Sequence, residues 1–200
     1  MFQTTSFSNQ PLAYEKPLTS FMKEQCFSLQ APKRVLCLGE NKENLALFLA
    51  QKGLVVDVLE VDETNHFTIH KQIQEPFLPV RLEHTALSRW HADNVFDRIF
   101  CSFLYLEKEQ QALLFEKCFS ALKIGGVLVV EALSESHKSL EPKAFKEEPN
   151  QLYNFNETLR IFKTLPFVLE KFSQEVITLK DENFFEKRAS VVHIIALKNS

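Results

Sequence analysis

The chain has 200 residues, 45% hydrophobic and 24% charged, with a formal net charge of −3. That balance suits a globular protein with one sizeable core, and it gives no electrostatic reason to expect nucleic acid or an anionic membrane as partner. No apolar run approaches the roughly 18 residues of a membrane span, and the opening segment MFQTTSFSNQPLAYEKP lacks the basic and apolar regions of a signal peptide.

Residues 1–30 read as a polar lead-in with a short helix over Leu18–Leu29. Arg34–Leu38 (RVLCL) is a continuous apolar run, as expected of a strand buried on both faces. Gly39 ends it, a helix carrying Leu45, Leu47, Phe48 and Leu49 follows, and Gly53 stops that helix. Leu54–Val61 is the second strand, so strand, helix and strand form a right-handed parallel unit. Residues 63–76 suggest another helix, and Pro79–Glu83 and Phe96–Phe103 the third and fourth strands. Glu107–Leu122 has apolar residues at helical spacing. Lys123–Gly126 reads as a turn before a fifth strand, Val127–Glu131. Residues 134–151 form a polar insertion with two prolines, and Asn156–Lys163 another helix. Val168–Leu179 and Ser190–Leu197 close the chain as two strands joined by DENFFEKR. The fold expected is a Rossmann-like, seven-stranded, mostly parallel sheet with a C-terminal antiparallel hairpin and helices on both faces. It forms one domain over 1–200, with 1–30 as a lead-in or lid.

Two features of composition stand out. Phe occurs 19 times, which supplies bulky core, while Gly occurs only 4 times. The four cysteines (Cys26, Cys37, Cys101, Cys118) show neither CxxC spacing nor a His at metal-ligand spacing. They read as reduced structural thiols of a cytoplasmic protein, and no metal is expected. His66, His70, His84, His91 and His193 read as surface or packing residues, and Trp90 with Phe96 as core.

Ligands of an open α/β sheet bind at the C-terminal strand ends, near the point where strand order reverses. That rule selects the loop Gly39–Asn44, Glu60, Thr85–Leu87 and Cys101–Tyr105. A carboxylate ending the second strand is placed to accept both ribose hydroxyls of a nucleoside; otherwise Glu60 is a solvated strand-end charge. The loop GENKENL is not the GxGxxG of dinucleotide enzymes, and Glu40 and Glu43 oppose a pyrophosphate. A nicotinamide-dependent reductase is therefore disfavoured. The sulfonium and amino group of S-adenosylmethionine tolerate acidic neighbours.

RVLCLGENKENLALFLAQKG with its following acid, then FDRIFCSFLYL, ALKIGGVLVVEA, QLYNFNETLRIF and RASVVHIIALK, resembles the class I S-adenosylmethionine-dependent methyltransferases. The likeness is greatest to the branch of tellurite-resistance and thiopurine methyltransferases, over about residues 12–198 in unbroken order. It implies S-adenosylmethionine as cofactor. The methionine moiety would lie against Gly39, Glu40 and Asn41, the ribose on Glu60 and the adenine beside Val61, Ala86 and Leu87, with Cys101, Ser102 and Phe103 lining the floor. Tyr14, Tyr105 and His137 are candidates for contact with a small-molecule acceptor such as a thiol or oxyanion. Asn41 and Glu43 replace loop glycines of the resembling pattern, and Ala86 stands where an acid contacting the adenine amine is common. Methyl transfer is an in-line displacement that proximity and orientation drive, so no catalytic residue is read. The alternative is a degenerate methyltransferase fold acting as a binding or interaction module.

Overall fold

Strand β1 (Arg34–Gly39) is apolar on both sides because both sides are covered. Val35 and Cys37 enter one core cluster, and Leu36 and Leu38 enter another. The computed structural model describes residues 18–31, 33–40, 42–62, 79–140, 151–180 and 186–199. Helix α1 (Ser20–Phe27) precedes β1, and α2 (Lys42–Gln51) and β2 (Val55–Glu60) follow it. Then come β3 (Val80–His84), β4 (Phe96–Ser102), α3 (Lys108–Ala121), β5 (Leu122–Leu133), α4 (His137–Leu140), α5 (Phe155–Thr164), β6 (Phe167–Lys180) and β7 (Glu186–Lys198).

The strands form one seven-stranded sheet in the order β3-β2-β1-β4-β5-β7-β6. The first five run parallel, and β7 is antiparallel to both β5 and β6. Strand order reverses between β1 and β4, which fixes the ligand crevice of such a sheet. The expected mostly parallel Rossmann-like sheet with a C-terminal hairpin is the one observed.

Each face has its own core. Helices α1 and α2 cover one, through Phe21, Met22, Leu45 and Leu49. The other holds much of the phenylalanine: Phe162 of α5 lies 4.6 Å from Phe115 of α3 and 5.6 Å from Phe167 of β6. Trp90 and Phe96 are buried here as core. A smaller cluster, Phe103, Leu133, Leu152, Ala189 and Val191, packs at the C-terminal end of the parallel strands.

Local chemistry explains the element ends. Gly53 has φ +82°, donates to the Ala50 carbonyl at 2.9 Å, and the Leu54 N–H reaches the Leu49 carbonyl at 3.3 Å. That paired bonding is the Schellman stop that Gly53 predicts. The Asn154 side chain accepts from the N–H groups of Asn156 and Glu157, both at 3.0 Å, and starts α5. Phe48 is half-buried, packs against the same core as the rest of α2 and meets Phe27 edge-on at 6.0 Å.

Strand β5 starts earlier than expected, at Leu122, but the predicted turn residues Lys123–Gly126 loop out of the β4 register, with Phe96 facing Leu122, Arg98 facing Val127 and Gly125 at φ +78°. The polar insertion after β5 begins with the short α4 and a parallel bridge from Ser134 to Tyr153. The expected helix over 63–76 lies outside the described residues, as do 141–150 and 181–185; Glu186–Arg188 belong to β7. No helix among the described residues is long and apolar enough to cross a membrane, and none of their His, Cys, Asp or Glu side chains group as a metal site.

All four cysteines are buried and free. Burial pushes the Cys26 thiol up to about 12. Burial likewise raises Cys37, and a hydrogen bond with Cys101, followed by burial, raises Cys118. At about pH 8 the Cys26, Cys37 and Cys118 thiols are neutral, all four are shielded by burial, and the thiolate is the reactive form. Ellman's reagent should therefore label none of the four rapidly in the native protein and all four in denaturing guanidinium; rapid native labelling would contradict this packing.

Candidate cofactor site

The site is built where β1 gives way to α2. Gly39 has φ +96°, and a Cβ there would sit 2.0 Å from the Ser102 carbonyl oxygen of β4. The Glu40 N–H donates to that same carbonyl at 2.8 Å. The chain thus turns off the sheet while pressed against β4, and only glycine fits. Gly39 and Ser102 are buried and Glu40 is exposed.

Glu60 ends β2 and is only 7% exposed. Its Oε1 accepts from the Asp62 N–H at 2.9 Å, which orients the carboxylate. Its Oε2 pairs with the Lys42 Nζ at 2.9 Å. The Lys42 ammonium also donates to the Gly39 carbonyl at 3.3 Å and lies 3.4 Å from Glu43 Oε1. Three oxygens therefore surround a lysine that is 6% exposed. A buried ammonium needs such partners, because burying an unpaired charge is prohibitive. Sequence reading weighed the glycines and acids of GENKENL and passed over this cation; the signal was its place three residues after Gly39, inside the loop that faces Glu60.

The remaining predicted residues divide. Leu87 is buried in the core cluster against which Val61 packs. Ala86 is half-buried, and its carbonyl accepts from the N–H groups of Arg89 and Trp90 in a turn. Cys101 is 1% exposed and belongs to the core cluster containing Cys118, so its thiol is a packing group. Phe103 has φ +50°, a left-handed conformation uncommon for an aromatic residue, and donates to the Glu131 carbonyl at 2.7 Å. Tyr105 packs beside the Phe103 cluster. His137 is half-buried, and its Nδ1 accepts from the Ser190 N–H at 3.4 Å, which ties it to β7. Asn41 and Tyr14 lie outside the described residues, as do His66 and His70. A cleft of about 420 Å³ opens beside the end of β5, lined by Glu135, Ser136, Asn154, Phe155, Asn156 and Gln174.

His193, expected as a surface or packing residue, is buried in a polar group. Its Nε2 lies 2.9 Å from Glu131 Oε1, and the two residues are register partners across β5 and β7. Thr19, the N-cap of α1, donates to Glu131 Oε2 at 2.7 Å. The Phe21 ring stacks on the imidazole with centroids 4.0 Å apart. Glu175 Oε2 is 3.6 Å from His193 Nδ1. Glu131 and Ser102 are register partners across β5 and β4, and Ser102 in turn faces Gly39, so this pair anchors α1 two strands from the Gly39 turn. Each polar residue interrupts an apolar strand, VLVVEAL and SVVHIIAL, and that interruption was the available signal.

No family model and no curated protein matches the chain. Its fold does match solved structures. TehB from Haemophilus influenzae superposes with a TM-score of 0.71 at 16% identity, over 90% of this chain and 62% of TehB, so this chain spans less than two thirds of TehB's length. A SAM-dependent methyltransferase of Methanosarcina mazei gives 0.65 at 15% identity, over 90% of this chain and 98% of its own. The [4+2]-cyclase SpnF gives 0.59 at 17% identity, over 73% of this chain and 54% of its own. The fold is thus that of the methyltransferase-type Rossmann-like domains, and one neighbour with it is named for a cyclisation.

Two substitutions test the site's construction. Gly39→Ala should lose more than about 2 kcal/mol in urea denaturation, because both the backbone angle and the Ser102 carbonyl oppose a Cβ. His193→Ala leaves the fully buried Glu131 with only the Thr19 hydroxyl on its carboxylate and should cost roughly 1–3 kcal/mol. A change within about 0.5 kcal/mol, typical of a surface position, would contradict the account in either case.

Proposed function

We propose that this chain binds S-adenosylmethionine and transfers its methyl group to a small-molecule acceptor, within a reducing, cytoplasmic setting. The observation that carries the reading is Glu60: a buried strand-end carboxylate, oriented by the Asp62 N–H, beside the point where strand order reverses. A carboxylate in that place suits a ribose diol. Gly39 and Glu40 would hold the methionine moiety, and Val61 and Leu87 would flank the adenine. Bound there, the sulfonium supplies an activated methyl group. The protein's own part is to orient the donor and acceptor, which needs no dedicated base for a soft nucleophile. Two carboxylates accompany one ammonium in the loop, which still disfavours a phosphate-bearing cofactor. An acceptor reaching the β4 and β5 ends would meet Tyr105 and the cleft at Glu135.

A second reading, a fold without catalysis that serves as a binding or interaction module, draws on the Lys42–Glu60 pair, which engages the carboxylate a ribose would use.

Calorimetric titration with S-adenosylhomocysteine separates the two readings. Binding by the native protein, weakened about 10- to 100-fold in Glu60→Gln, is expected from losing hydrogen bonds to a charged acceptor. No heat and no thermal shift at millimolar ligand would sink the proposal.

A further inference from the structure

The Lys42 ammonium stands on the same two groups that the proposed ligand would need. One is Glu60 Oε2, at 2.9 Å; the other is the Gly39 carbonyl, at 3.3 Å. The other Glu60 oxygen already accepts from the Asp62 N–H, so the carboxylate has no oxygen left unengaged for a diol while Lys42 is in place. Lys42 lies in the first turn of α2, and its side chain is 8% exposed, held against the strand ends.

We propose that Lys42 is an internal competitor that sets the affinity of the site for S-adenosyl nucleosides. The inference rests on the reading that Glu60 receives a ribose. The lysine side chain is long and flexible, with rotatable bonds that let the ammonium leave while α2 stays in place. Glu43 is the natural receiver, since its Oε1 is already 3.4 Å from the ammonium and its side chain is more exposed than that of Glu60. In the closed arrangement the ammonium satisfies Glu60; in the open one the ribose hydroxyls do. Every nucleoside bound must first displace this pair, so its apparent affinity is the intrinsic affinity scaled down by the fraction of molecules in which the latch is open. The same exchange keeps a buried carboxylate paired in the ligand-free protein, where leaving it alone would destabilise the fold.

The test compares S-adenosylhomocysteine binding by the native protein, Lys42→Met and Lys42→Gln, with Lys52→Gln as a control just past the other end of α2. Melting curves confirm that each variant is folded. Lys42→Gln retains an amide donor for Glu60 in case Lys42→Met does not fold. Removing the ammonium should tighten binding by at least about tenfold, and Lys52→Gln should leave it unchanged. Adding Glu60→Gln to the tighter variant should abolish the gain. Equal or weaker binding by the folded Lys42 variants, with the native protein binding normally, would overturn the latch and leave the nucleoside site standing. Absence of binding by every variant would overturn the site itself, and the latch with it.

Discussion

Everything at the functional end of this molecule depends on the close approach of Gly39 to the Ser102 carbonyl. A strand leaving a sheet at the reversal of strand order has to clear its neighbour, and here the clearance is too small for a Cβ. The left-handed turn at Gly39 then aims Glu40 and the start of α2 across the strand ends, and the Glu40 N–H closes the turn on that same carbonyl. From that one constraint follows the position of Lys42 against Glu60, next to the point where strand order reverses. The other glycines of the resembling loop pattern are absent, yet the first one, which the backbone cannot do without, is retained.

The loop illustrates a compromise between folding and binding. A bare strand-end carboxylate as buried as Glu60 is costly, and the molecule meets that cost with an ammonium from its own helix. A second buried pair, Glu131 with His193, does comparable work one strand beyond Ser102, where it fastens α1 through Thr19 and Phe21. Both pairs sit near the C-terminal ends of the parallel strands, where Thr19 caps α1. These two buried pairs therefore lie at the end where a ligand would arrive, while buried Asp57 and Lys198 are paired at the opposite end of the sheet.

Much of the architecture was legible in the sequence because its signals were local. RVLCL could only be a strand covered on both sides, Gly53 could only end a helix, and Glu107–Leu122 carried its own helical periodicity. The break at Lys123–Gly126 was legible too: these residues loop out of the β4 register between Leu122 and Val127, and Gly125 takes the positive φ of a turn. Glu60 was visible as a strand-end acid. Lys42 and the Glu131–His193 pair were not visible, because each depends on a partner distant in sequence: Glu60 for Lys42, and antiparallel registration of β5 and β7 for the other. Cys101 was read by its place at the end of β4, and its burial in the core cluster depends on packing that the strand pattern does not specify.

The central claim is that the Gly39 turn and Glu60 form a nucleoside site that Lys42 covers in the ligand-free state. A crystal structure of the protein soaked or grown with S-adenosylhomocysteine tests it most directly. The account predicts the ribose on the Glu60 carboxylate, the homocysteine moiety beside Gly39, and the Lys42 ammonium moved away from Glu60. Lys42 still seated on Glu60, with the nucleoside absent or bound elsewhere at saturating concentration, would contradict it.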